Sequence, residues 1–164
     1  MVVTVRESDD GSKQRAIQAT ERTAKAGAVT TQRELLKWLN KVVMIAKELC
    51  PIGTPASTGI RGYIGGTLAR TIRIVTQAPT GGFFEVTKDP LSDKVGVTAL
   101  ITAGGWLINP NTGRICDYAQ AVHDGTFKMA GRPFLTMAIE QSEPDYQMMV
   151  KKIGDAHENA WKGE

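Results

Sequence analysis

His123 and Asp124 are adjacent, with Asp117 six residues earlier. An imidazole beside carboxylates is the raw material of a general base, but hydrolysis also needs a nucleophile held within hydrogen-bonding reach. No serine elbow, Cys–His motif or paired-carboxylate motif accompanies these residues, and Asp124-Gly125 is itself a common turn dipeptide. His157, in a polar C-terminal stretch, suggests even less. Cys50 and Cys116 lie far apart in sequence, without the short ligand spacings of a zinc site, and read as reduced, buried thiols. Gly62, Gly65 and Gly66 stand near Thr67 and Arg70, but the Gly-Lys-Ser/Thr ending of a phosphate loop is missing. The expectation is a chain without enzymatic activity, catalytic residue, metal or cofactor.

Nucleic acid is the other chemistry to weigh. Arg61, Arg70 and Arg73 form a loose basic series, and Lys13, Arg15, Arg22 and Lys25 another. Neither is interleaved with stacking aromatics, and no helix-turn-helix or zinc-finger spacing is present. Non-specific contact with DNA phosphates is the most these residues imply. The net charge of +3 adds little, but its distribution is uneven. Residues 1–80 carry 12 Lys and Arg against 6 Asp and Glu, and residues 81–164 carry 8 against 11. Opposite halves of this kind suit two faces that attract each other between identical subunits.

The elements that must position these groups follow from periodicity. The chain of 164 residues, with 41% hydrophobic and 23% charged residues, suits one ordinary globular domain. No apolar run approaches the ~20 residues of a spanning helix, and the acidic N-terminus lacks the apolar core of a secretory signal. Residues 1–12 read as a flexible arm and 13–164 as a single domain. From Lys13 to Ala26 the composition favours helix, interrupted by Gly27. Thr30 or Thr31 can cap a second helix, with Glu34 three residues after Thr31 completing a capping box, and that helix runs to about Leu49 with Leu35, Leu39, Val42, Ala46 and Leu49 on one face. Pro51 stops it.

A long loop follows at 51–66, rich in Gly, Pro, Ser and Thr; loops of this length are commonly functional. Strands are expected at Thr71–Thr76, Phe83–Thr87 and Lys94–Thr102. Trp106–Ile108 and Arg114–Cys116 should pair across Asn109-Pro110-Asn111-Thr112-Gly113. Tyr118–His123 reads as a short helix, Pro133–Glu140 as another, and Tyr146–Trp161 as a last one after a break at Ser142-Glu143-Pro144. Trp38 and Trp106 read as core residues, whereas Trp161, in a polar helix, reads as an interface anchor. The fold class expected is α+β: a mostly antiparallel sheet of about four strands packed against a long N-terminal helix and a C-terminal helix.

The stretch Tyr118-Ala119-Gln120-Ala121-Val122-His123-Asp124-Gly125-Thr126, followed by Gly131-Arg132-Pro133-Phe134-Leu135 and Ala138, resembles the tailed-bacteriophage tail-completion and head–tail joining family, which includes minor tail proteins of the Z type. Gly66-Thr67-Leu68-Ala69-Arg70-Thr71-Ile72 is similar to that family's Thr-Gly-x-Leu-Arg-x-Ser-Ile segment, with the Thr and Gly reversed and Thr71 where Ser is usual. His123-Asp124 replaces the commoner Glu-Phe. The resemblance covers roughly residues 31–141. It implies a structural virion protein of the phage neck, assembled in the host cytoplasm, forming a homo-oligomeric ring (a hexamer) around a DNA-conducting lumen. The implied partners are a tail tube or tail-terminator protein on one side and a connector or head-closure protein on the other, with no membrane. Tail-terminator and head-closure stations of the same neck are the neighbouring alternatives; a non-specific DNA-binding accessory protein and a small hydrolase using His123 are more distant ones. Tyr118, His123, Gly125, Thr126, Arg132, Pro133, Phe134 and Trp161 become candidate interface residues, and Arg61, Arg70 and Arg73 candidate contacts with DNA in the lumen.

Overall fold

The computed structural model describes residues 12–77, 83–85 and 99–162. Helix α1 runs from Ser12 to Leu49, 38 residues or about 57 Å at 1.5 Å per residue. It continues through Gly27, contrary to the expected interruption, and so Thr31 lies inside a helix and caps nothing. The reason is tertiary. Helix α6, Glu143–Lys162, runs back along α1, with the Thr23 hydroxyl donating to the carbonyl of Ala160 at 3.1 Å. A Cβ at position 27 would collide with the imidazole of His157. The helix cost of glycine, about 1 kcal/mol, is accepted where the His157 ring packs against the α1 backbone.

Further along, the same pair is held by polar and aromatic contacts. The indole N–H of Trp38 donates to Ser142 Oγ at 3.1 Å, and its ring lies 5.2 Å from that of Tyr146. Lys41 meets Asp145 at 2.5 Å. Glu34, expected to close a capping box, is instead a buried carboxylate facing Lys37 at 2.6 Å, Arg33 at 3.4 Å and Lys152 of α6 at 3.9 Å. The hydrogen bond from Lys37 and the surrounding cations hold its pKa below the ordinary 4.5, against the opposing effect of burial. A depressed folded-state pKa means that the stabilisation is complete above the unfolded value and is lost as pH falls through the folded one. Stability should therefore decline below about pH 4.5 in the parent chain, and Glu34→Gln should flatten that limb in pH-dependent thermal melts. An unchanged slope would remove Glu34 from the account.

The C-terminal half of α1 buries the apolar stripe read from its sequence: Leu39, Val42, Val43 and Ala46 are core residues. Against this stripe lie Leu68 of α3 (Thr67–Thr71), Ile72 at that helix's C-cap, Ile74 of the following strand, and Phe134 and Ala138 of α5 (Phe134–Gln141). Pro51 does end α1, as expected. At the α5–α6 joint the buried Ser142 is the hinge: its amide donates to Ala138 O and its carbonyl accepts from Asp145 and Tyr146. Pro144 then occupies the first turn of α6, where a missing N–H costs nothing.

The sheet departs from expectation. Strands β1 (Arg73–Gln77), β2 (Phe83–Glu85) and β3 (Ala99–Thr102) form a three-stranded antiparallel sheet in the order β2-β1-β3. Arg73 pairs with Thr102, and Gln77 with Phe83. The expected strand at Thr71 begins two residues later, because Thr71 ends α3. Among the described residues no fourth strand joins it. The chain turns away at Gly104-Gly105, and the two segments expected to pair do so only with each other, through a bridge between Ile108 and Ile115. A separate two-stranded ribbon, β4 (Gly125–Thr126) with β5 (Met129–Ala130), stands apart. Two short sheets therefore replace the single one. The expected arm at 1–12 lies outside the described residues up to 11, as do 78–82 and 86–98, which hold the rest of two expected strands. Among the described residues no helix is long and apolar enough to cross a membrane.

Candidate interaction surface

The segment from Tyr118 to Leu135, which carries the family resemblance, folds as one unit. Helix α4, Ala119–Asp124, leads directly into the ribbon, whose tip is Phe127-Lys128. The Arg132 amide returns to donate to the carbonyl of Val122 at 2.9 Å, closing the excursion at its base. Gly125 is required there. Its φ is 89°, and a Cβ would press on the carbonyl of Met129 and the backbone of Gly131. Thr126 Oγ1 accepts from the Lys128 amide at 3.3 Å, tightening the turn. Pro133 precedes α5 with φ −76°.

His123 ties this unit to α5. Its Nδ1 lies 2.7 Å from Asp124 Oδ1 and its Nε2 3.3 Å from the hydroxyl of Thr136. With the carboxylate accepting, Nδ1 carries the proton and the Thr136 hydroxyl donates to Nε2. The imidazole also lies edge-on to the Phe134 ring at 5.6 Å. The order hydroxyl–imidazole–carboxylate is that of a hydrolytic triad, but Asp124 is 57% exposed and Thr136 is exposed. The dry enclosure that gives such groups their catalytic force is missing. Hydrogen bonding to His123 lowers the pKa of Asp124. The chain of three is a brace between two elements.

A second feature was not visible in the sequence. The loop at 51–66 folds over the α4 side and forms with it a groove of about 380 Å³, lined among others by Ile52, Tyr63, Leu68, Tyr118, Met129 and Arg132. Two of the candidate residues, Tyr118 and Arg132, thus meet residues some sixty positions earlier. The loop is also less irregular than its composition suggests. Helix α2, Pro55–Thr58, is a single turn with Thr54 and Ser57 forming a reciprocal capping box. The far end of the loop is latched by Asn111, whose side chain accepts from the Ile64 amide at 2.8 Å and donates to the Ile64 carbonyl at 2.8 Å. Asn111→Ala removes both bonds. The expected result is faster tryptic cleavage after the exposed Arg61, with a small fall in global stability of about 1–2 kcal/mol. Equal cleavage rates would show that the latch does not hold the loop.

The remaining candidates lie apart from one another. Phe134 is 1% exposed and belongs to the core; its ring builds the fold. Trp161 is 68% exposed near the end of α6. Arg61 and Arg70 are exposed, in the loop and on α3. Arg73 lies half-buried on β1 with its guanidinium 4.8 Å from the centroid of the Trp106 ring, an arrangement that occupies one face of the cation. Trp106, read as core, is 45% exposed and donates its indole N–H to the Thr71 carbonyl. The residue that sequence reasoning missed is Phe127, 94% exposed at the ribbon tip. Its signal was an aromatic residue in a turn bounded by Gly125 and Gly131, where polar residues are the rule.

Cys50 and Cys116 are both buried and free. Burial, reinforced by the neighbouring Cys116, pushes the Cys50 thiol up to about 11. Burial also raises Cys116, partly offset by a hydrogen bond with Tyr118, and raises the Tyr118 phenol in turn. Among the described residues no group of three or more His, Cys, Asp and Glu is placed to hold a metal ion. No protein-family model matches the chain, nor does any curated protein or solved structure.

Proposed function

We propose that the chain is a structural component of a tailed-phage neck, forming a ring that joins the tail to the head. The observation that carries this reading is the placement of the resembling segments. Tyr118–Thr126 and Gly131–Leu135 make one braced unit that holds out an exposed aromatic tip, while Gly66–Ile72 borders the adjoining groove. A rigid base beneath an exposed apolar tip suits assembly, because large aromatics free of solvent-side partners are the usual anchors of protein contacts. In this reading the protein acts by presenting one surface to the tail tube or tail terminator and another to the connector or head-closure protein. The ring is homo-oligomeric, of six copies by the family resemblance, and its place is the virion after assembly in the host cytoplasm. Arg61 and Arg70 are the cations free to approach DNA phosphates in the lumen.

The experiment is electron microscopy of particles made when the gene is silenced in an infected host. Filled heads separated from finished tails are expected. Overlong tails would move the protein to the terminator station. Normally joined particles would remove it from the neck.

A further inference from the structure

We propose that the Phe127-Lys128 turn of one copy seats in the hollow between α4 and α5 of a second copy. This deepens the ring reading and rests on it for the identity of the partner.

The hollow has a volume of about 230 Å³. It is lined by Ala103, Ala119, Leu135 and the Phe134 ring together with the polar side chains of Gln120, His123 and Asp124. A cavity of roughly 150 Å³ with apolar walls already accepts benzene, so a phenyl ring and part of a lysine stem fit this one. The chain's own ribbon does not fill it, since Phe127 is 94% exposed. Phe127 and Lys128 travel together, with the ammonium 5.2 Å from the ring centroid.

Charge selects this hollow over the larger groove. The carboxylate of Asp124 is more than half exposed, and with about four acceptor positions it has room left beside its bonds to His123 and Gln120. An incoming Lys128 finds an opposite charge there. At the groove beside the loop the rim cation is Arg132, which repels it. Ring and ammonium are thus matched by an apolar lining and an acidic carboxylate on the same face, a pairing of the kind that sets register between subunits.

The test is sedimentation equilibrium of the full chain with two surface variants. Phe127→Ser alters a side chain that lies almost wholly in solvent, so it should leave Tm unchanged at concentrations where the parent is monomeric while raising the dissociation constant for self-association about tenfold or more. Gln120→Arg sets a cation against Lys128 on the other side of the contact, with the same expected result. Mixed in equal amounts, the two variants should form pairs at a concentration where neither does alone, because each retains the half that the other has lost. A parent chain that stays monomeric at millimolar concentration overturns the proposal. So does a Phe127→Ser constant equal to that of the parent, or a mixture no better than its components. None of these results bears on the silencing experiment, so the neck reading stands or falls separately.

Discussion

Phe134→Ala should destabilise the chain by about 3–5 kcal/mol, the range for deleting a fully enclosed aromatic ring. Phe134 is 1% exposed and joins α5 to the stripe of α1 through Ala138, Val42 and their neighbours. Its loss removes the edge contact with His123 and leaves a void that a helix anchored at both ends cannot collapse around. The cost also reaches the surface, because the ring is a wall of the hollow between α4 and α5. Thermal or urea unfolding measures the effect, with Tm expected to fall by roughly 10 °C. Phe134→Leu keeps most of the volume and should cost less than about 1.5 kcal/mol. A Phe134→Ala chain that melts within a degree or two of the parent would show that the ring is not enclosed.

Thr71→Val is the second large effect, and here shape is conserved while chemistry is not. The Thr71 side chain is fully buried. Its hydroxyl donates to the Leu68 carbonyl at 2.6 Å and accepts from the Gly104 amide at 2.7 Å. It thereby fastens the end of α3 to the chain leaving β3. Valine fills the same space but strands the Gly104 N–H without its partner. Losing one bond and leaving a buried donor unpaired costs about 2–4 kcal/mol. Thr71→Ser keeps the hydroxyl and should lose much less. Amide exchange at Gly104 provides the specific readout: it should accelerate strongly in Thr71→Val and little in Thr71→Ser. Slow exchange in both would mean that the amide finds another acceptor.

Much of this architecture was legible in the sequence. The stripe from Leu39 to Ala46, the stop at Pro51, the turn at Asn109-Gly113 and the break at Ser142-Pro144 each rest on local chemistry that the final structure preserves. The misses share a different cause. Gly27 looked like a breaker because its reason, His157, lies 130 residues away. Glu34 matched a capping box, yet its partners include Lys152 of another helix. The ribbon at 125–130 has two residues per strand, too few for any alternation to register. The groove and the His123–Thr136 brace are assembled from segments that no spacing rule connects. Thr71 sat in a β-branched run, and only the hydroxyl's choice of Leu68 O shows that it closes a helix.

The paired burial of Cys50 and Cys116 has a practical side. Thiolate is the reactive form, and low dielectric suppresses it, so an aqueous alkylating reagent meets a chain that behaves as if it had no cysteine. A single cysteine placed on the surface then becomes the one attachment point for a fluorophore or spin label, with no need to strip the native pair. The same silence makes the native pair an internal clock. Its modification starts only when the core between α1 and Phe134 opens, and at reagent concentrations where reaction outpaces reclosing the rate of labelling is the rate of opening.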